Sequence, residues 1–180
     1  MASIVEIETT PPLISHHRKI VKPFFLNFYS ELVKSIDLAK EKIWIATYVI
    51  NIHFFRKWKK TTKLFDTICD KHKKGVDVRF IVDHPKKNRP NWNVNNFSVK
   101  LLQNEGIPVR MPKDGQTAHG KIAIIDNYVC FIGSHNLTDG SLNNPFEVTI
   151  RIFDPRTIQE MIDWYDRIWH LYCIDWEVLF

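Results

Sequence analysis

Apolar positions recur at helical spacing from Pro23 to about Lys40, where Phe25, Phe28, Leu32, Ile36 and Ala39 fall on one side of a helix that Pro23 is suited to open. The pattern then becomes continuous. KIWIATYVI (42–50) is rich in β-branched and aromatic residues and reads as a strand. Helical spacing returns over 56–74, with Trp58, Phe65, Ile68 and Cys69 on the inner face and Gly75 after a lysine-rich end. VDVRFIVD (76–83) is a second strand, and HPKKNRPNWN is a basic, proline-broken loop. A helix from about Val94 to Asn104 stops before Gly106, and IPVRM forms a short third strand. KIAIID and YVCFIGS are two strands joined at the turn-forming pair Asp126-Asn127. A polar segment (136–146) separates them from a sixth strand, EVTIRIF. Asp154-Pro155 supplies an N-cap and a proline at the first helical position. The helix that follows buries Ile158, Met161, Ile162, Tyr165, Ile168 and Trp169.

Strands alternating with helices predict an α/β fold, a mixed β-sheet sandwiched between helices. The chain's 180 residues suit one domain, assigned to 21–180, preceded by a flexible N-terminal segment, 1–20, broken at Pro11-Pro12. No stretch approaches the roughly 18 apolar residues that a membrane span requires. Residues 1–15 lack the charged start and apolar core of a signal peptide. Cys69, Cys130 and Cys173 are widely spaced and form no CxxC, so reduced buried thiols and a cytoplasmic setting are expected.

A net charge of +5 is compatible with a polyanionic partner. The chemistry concentrates at 119–147. On a strand, His119 and Lys121 share a face while Ile122 and Ile124 point the other way. Ser134 and Asn136 are also two apart, at the exit of the adjacent strand. Pairing of the two strands would bring together a nucleophilic or proton-transferring imidazole, a fixed positive charge and two neutral hydrogen-bonding groups. That set suits a phosphate. His135 alternates away from Ser134 and Asn136 and is expected to be structural.

The spacing His119-x-Lys121-x4-Asp126-x6-Gly133-Ser134-x-Asn136 resembles the HKD signature of the phospholipase D superfamily, with every position filled. The likeness extends over roughly 24–172, through the lead-in SIDLAKEKIWIATYVI and GVDVRFIVD. The resemblance implies a phospholipase D/nuclease-like α-β-α fold. It also implies phosphodiester hydrolysis through a covalent phosphohistidine, without metal or other cofactor. His119, Lys121, Ser134, Asn136 and Glu147 are the implied catalytic set. Glu147 would accept a hydrogen bond from the far nitrogen of His119 and fix its tautomer, while Asp126 and Gly133 give structural support.

The superfamily works with two such motifs at one site. None of the other seven histidines is followed by a lysine two residues on and an aspartate five further. A single motif implies a homodimer with the active site at its interface, as in the small single-motif nucleases of the superfamily. Two basic stretches that interleave tryptophan, Arg56-Lys57-Trp58-Lys59-Lys60 and the loop carrying Lys86, Lys87, Arg89 and Trp92, are candidates for binding single-stranded DNA or RNA. The alternatives are a phospholipid phosphodiesterase of the same superfamily and a non-catalytic nucleic-acid-binding module.

Overall fold

The computed structural model describes residues 21–24, 27–53, 58–84, 90–113 and 115–176. Along the chain these form β1 (Val21–Phe24), α1 (Phe28–Leu38), β2 (Lys42–Thr47), α2 (Lys60–Lys73), β3 (Asp77–Val82), α3 (Pro90–Asn104) and β4 (Val109–Pro112). There follow β5 (Lys121–Ile125), β6 (Val129–Gly133), α4 (Asp139–Leu142), β7 (Thr149–Ile152), α5 (Pro155–Leu171) and β8 (Cys173–Asp175). The strands form one eight-stranded sheet in the order β1-β7-β6-β5-β2-β3-β4-β8. β2, β3 and β4 run parallel, because α2 and α3 carry the chain back between them; the other pairings are antiparallel.

The sheet divides the core into two layers. Ile43 and Ile45 of β2 join Leu32 and Ile36 of α1, Phe65 and Ile68 of α2, and Val99 and Leu102 of α3. Their alternating neighbours, Trp44 and Ala46, face Ile158, Ile162, Tyr165 and Trp169 of α5 on the other side. β2 is therefore buried on both faces, which is why its sequence is continuously apolar rather than alternating. At the centre of the second layer Tyr165 stacks on Trp44 at 5.2 Å, and its hydroxyl donates to the carbonyls of Ile45 (3.1 Å) and Arg79 (3.2 Å). The three cysteines are free and buried, as expected. Burial pushes the Cys69 and Cys130 thiols up to about 12 and Cys173 to about 11, so none is poised as a nucleophile.

Several sequence expectations need correction. Pro23 does not open a helix: it lies in β1, opposite Ile150 of β7. An edge strand tolerates a residue with no N–H to donate, and the helix begins five residues later, at Phe28. Two short strands, β1 and β8, add to the six predicted; each lies at an outer edge of the sheet. Pro90–Asn93 was expected in a loop but forms the first turn of α3, consistent with proline at a helix start. The strand beginning at Lys42 ends at Thr47, and the helix assigned to 56–74 is described from Lys60. The segment 1–20 lies outside the described residues. The Asp154 cap is as expected, its carboxylate accepting from Thr157 N at 2.8 Å and Thr157 Oγ1 at 2.7 Å.

Asp126, the aspartate of the signature, holds the end of the sheet remote from the histidine. It occupies the β5–β6 turn at φ 51°, a left-handed conformation that aspartate tolerates better than most side chains. Its carboxylate accepts from the backbone N–H groups of Lys40 (3.1 Å), Glu41 (2.8 Å) and Lys42 (2.9 Å). It thereby ties the α1–β2 connection to the hairpin. Asp126→Ala is expected to lower unfolding stability by about 2 kcal/mol in denaturant titrations, with Asp126→Asn losing less because one acceptor oxygen survives. Equal stability in all three proteins would show that the clamp is not formed in solution.

Candidate active site

The strand register brings the signature residues to one edge of the sheet. Lys121 is opposite Gly133 across β5–β6, and Gly133 is opposite Thr149 across β6–β7. The segments just before β5, just after β6 and just before β7 therefore emerge together. β2 and β3 finish at the same edge, Ala46 lying opposite Ile122 and Thr47 beside Val82. At Gly133 a Cβ would come within 2.3 Å of Val148 O and of Thr149 Oγ1, so no side chain fits there. The glycine of the signature is what allows β6 and β7 to close on each other.

His119 lies two residues before β5 and is exposed. Its ring packs on Tyr48, with ring centroids 4.9 Å apart. Lys121 Nζ sits 5.1 Å from the centroid of the same tyrosine and donates to His119 O at 2.6 Å. The two basic groups thus meet on one aromatic platform, while Ile122 and Ile124 turn toward α5 as predicted. Ser134 Oγ accepts from Val148 N at 3.0 Å. Asn136 Oδ1 accepts from Val49 N at 3.1 Å, which orients the amide; its Nδ2 group makes no hydrogen bond among the described residues. Next to it, His135 is structural: it is buried, tilted against Phe28, with Nδ1 2.8 Å from Thr149 Oγ1.

Glu147 differs from expectation. Among the described residues it makes no hydrogen bond to His119. Its Oε1 accepts from Ser141 Oγ at 3.0 Å, and Ser141 Oγ in turn accepts from Asn136 N at 2.8 Å. The α4 turn, which lies within the polar segment 136–146, inserts this serine between the glutamate and the site. Glu147 still acts electrostatically on Lys121.

Three residues of the site carried no motif. Tyr48 and Asp83 follow the ends of the parallel strands β2 and β3, and Asn95 projects from α3. Asp83 is only 3% exposed, and its Oδ1 accepts from Ala118 N, the residue before His119, at 2.9 Å. Asn95 is fully buried. Its Nδ2 donates to Tyr48 O (3.0 Å) and Asp83 O (2.9 Å), and its Oδ1 accepts from Ile50 N (3.0 Å). The available signal was positional: polar residues directly after parallel strands stand where α/β sheets place their sites.

Charge at the site is finely balanced. Burial lowers the pKa of Lys121, while Glu147 and then Asp83 raise it. Burial lifts the pKa of Asp83, opposed by the Ala118 hydrogen bond and by the charges of His84, His119 and Lys121. Beside His119 a cleft of about 360 Å³ runs between α5 and the segment before β5, lined by Ile81, Ala118, Trp164, Arg167, Ile168 and Tyr172.

The nucleic-acid candidates fare unevenly. Arg56, Lys57, Lys86, Lys87 and Arg89 lie outside the described residues. Trp58 is 70% exposed. Lys59 pairs with Asp139 at 3.5 Å, and Lys60 Nζ bonds Leu142 O (3.3 Å) and Asn143 Oδ1. Both hold α4 against α2. Trp92 is half-buried on α3.

With this geometry in view, the chain matches the family model described as "Cardiolipin synthase, PLD-like domain" over residues 32–169. It belongs to the phospholipase D-like family. Among curated relatives of this family, mitochondrial cardiolipin hydrolase of Chlamydomonas reinhardtii is 26% identical over 144 residues, 80% of this chain and 61% of that protein. The Mus musculus mitochondrial cardiolipin hydrolase is 32% identical over 98 residues, 54% of this chain and 42% of that protein. The matches thus span only part of these relatives. Among solved phospholipase D-like structures, the family member Nuc from Salmonella typhimurium superposes with a TM-score of 0.67 at 20% identity, covering 87% of this chain and 97% of that one. NucT from Helicobacter pylori gives 0.67 at 19%, covering 87% and 98%. These two likenesses show the fold.

The charge balance has a measurable sign. Glu147 favours the charged form of Lys121, so Glu147→Gln is expected to move the Lys121 titration, followed by NMR at its Cε protons, to lower pH. An unmoved or raised midpoint would show that the two groups do not interact in solution.

Proposed function

We propose that this protein is a metal-independent phosphodiesterase that hydrolyses its substrate through a covalent phosphohistidine, and that it acts as a homodimer. The observation that carries this reading is the convergence of His119, Lys121, Ser134 and Asn136 at one exposed edge of the sheet. In the proposed reaction a neutral His119 attacks phosphorus. A nitrogen–phosphorus bond forms as the bond to the leaving oxygen breaks. The partner's His119, protonated, gives that oxygen its proton. Water then attacks phosphorus, loses a proton to the now-neutral partner histidine and displaces the first one. Lys121 and the amide of Asn136 meet the charge on the phosphoryl oxygens, and the Ser134 hydroxyl can turn toward the same oxygens.

One chain supplies one histidine, so a second copy must face the site. Phe146 is 93% exposed and Val148 42% exposed, both flanking Glu147 at that edge. An apolar pair beside a half-complete site fits contact with a second copy. Phe146→Asp is expected to convert the dimer to monomer in analytical ultracentrifugation and to abolish turnover without lowering the melting temperature. A Phe146→Asp protein that stays dimeric, or a fully active monomer, would remove this support for the two-fold site.

For the substrate we favour single-stranded nucleic acid, on the net charge of +5 and the exposed Trp58, a surface on which a base can stack. The apolar cleft beside His119 supports a second reading, a phospholipid whose hydrocarbon portion lies along Ile81 and Ile168. The names of the curated relatives point the same way. Labelled single- and double-stranded DNA and RNA, and cardiolipin-containing vesicles, can be compared in excess EDTA. Strand cleavage, reduced at least about a thousandfold in His119→Ala, is the expected result. Hydrolysis of lipid alone would transfer the assignment to the second reading, and cleavage that survives His119→Ala would exclude His119 as the nucleophile.

A further inference from the structure

Asp83 is a buried carboxylate that the reaction above leaves unused. Burying such a group is costly unless something is gained by it. Three observations define its place. Its Oδ1 accepts from Ala118 N at 2.9 Å, fixing the residue immediately before His119. Its own backbone is fixed on both sides, Asp83 N donating to Thr47 O at 3.2 Å and Asp83 O accepting from Asn95 Nδ2 at 2.9 Å. The same Asn95 amide donates to Tyr48 O, and the Tyr48 ring carries both His119 and Lys121. One buried pair, Asp83 and Asn95, therefore braces His119 from two directions: through Ala118 along the chain and through Tyr48 beneath the ring.

We infer that Asp83 is a positioning residue for His119, and that its carboxylate is also a counter-charge for the basic groups of the site. The inference rests on the phosphodiesterase reading for its kinetic test and on geometry alone for its spectroscopic one. As a hydrogen-bond acceptor, Asp83 sets where the histidine-bearing segment enters β5. As an anion, it offsets the positive charge of Lys121 together with Glu147, which lies on the opposite, β6–β7 side of that lysine. The groups facing Asp83 itself are His84, His119 and Lys121. The ring of His84 packs against Trp176 rather than bonding the carboxylate.

The conservative replacement separates the two roles. Asp83→Asn retains an oxygen that can accept from Ala118 N and removes only the charge; Asp83→Ala removes both. The full-length protein is assayed on bis(p-nitrophenyl) phosphate across a pH range. In Asp83→Asn the alkaline limb of kcat/KM is expected to move to lower pH, because the basic groups that Asp83 faces lose a negative charge that favours their charged forms. In Asp83→Ala kcat is expected to fall roughly tenfold or more, with KM within about twofold, because the nucleophile is misplaced rather than the ester less tightly bound. The melting temperature of Asp83→Asn should be unchanged or higher, since burial disfavours the charge it removes. A purely structural aspartate would instead lose stability and activity together and leave the pH limb in place.

The spectroscopic arm needs no turnover. In a ¹H–¹⁵N titration of the wild-type protein the Ala118 amide proton should follow the ionisation of Asp83, with a midpoint above the ordinary aspartate range, and Asp83→Asn should abolish that step. An Ala118 amide that does not titrate overturns the positioning role. Wild-type kcat in Asp83→Ala overturns it equally, as an unmoved limb in Asp83→Asn overturns the counter-charge. If the wild-type protein hydrolyses no phosphodiester, the phosphodiesterase reading fails separately and the Ala118 titration alone decides the inference.

Discussion

Where β6 passes β7 there is no space for a side chain, and the geometry of the site depends on that closeness. Val148 O and Thr149 Oγ1 both lie within 2.3 Å of the point where a Cβ of Gly133 would stand. The close approach fixes the register Lys121–Gly133–Thr149 across three strands. That register makes Lys121, Ser134 and the segment holding Glu147 neighbours, although they are far apart in sequence. A slip of one residue would send each of these side chains to the opposite face of the sheet. The signature glycine is thus a packing requirement, and Asp126 performs the corresponding task at the far end of β5. By bonding three successive N–H groups of residues 40–42, it locks the hairpin to β2. Of the residues in the signature, two therefore build the frame on which the others are presented.

Much of this was legible along the chain, and what was not has identifiable causes. The paired strands β5 and β6, the cap at Asp154 and the apolar stripe of α5 are local patterns, each decided within a few residues. Pro23 was misleading because a proline suits a helix start and an edge strand equally, and only tertiary pairing with β7 distinguishes them. β1 and β8 are four- and three-residue strands, too short to show a period. The chemistry followed the same division. His119, Lys121, Ser134 and Asn136 sit in one continuous motif. Tyr48 and Asp83 acquire meaning only once β2 and β3 run parallel and finish beside β5. Lys59 and Lys60 belong to a basic cluster in the sequence, yet in the fold Lys59 pairs with Asp139 of α4 while Lys60 reaches the neutral oxygens of Leu142 and Asn143. A run of like charges says how much charge is present, not which partner neutralises it.

The helices divide the work in a similar way. α1 and α5 present apolar faces and supply core; α2 does the same but also buries Thr61 and Thr62, the latter donating to His53 O. α3 carries, beside its apolar residues, the fully buried Asn95 and Ser98. Ser98 accepts from Ile52 N and donates to Ile50 O, while Asn95 binds Ile50 N, Tyr48 O and Asp83 O. These polar groups satisfy the backbone of the segment after β2, where the chain leaves the sheet and would otherwise bury unpaired N–H and C=O groups. The region around the histidine is consequently stiff: Tyr48 is held by its own main chain, and the ring above it inherits that order.

Stiffness and charge are linked at this edge. The proposed reaction uses two identical histidines in different protonation states, and a positive lysine stands beside each of them. Packing that much basic character together is unfavourable in the absence of substrate. It is also unfavourable to leave Lys121 partly desolvated, which is the direction in which its pKa is driven. Glu147 and Asp83 oppose that drive from two sides without forming, among the described residues, a salt bridge with the lysine, so its ammonium, which donates to His119 O, is not held by a carboxylate. A direct salt bridge would have stabilised the charge more strongly but would have had to break for Lys121 to reach a phosphoryl oxygen. Carboxylates held by other donors, Ala118 N for Asp83 and Ser141 Oγ for Glu147, keep the site positive and leave its cation available.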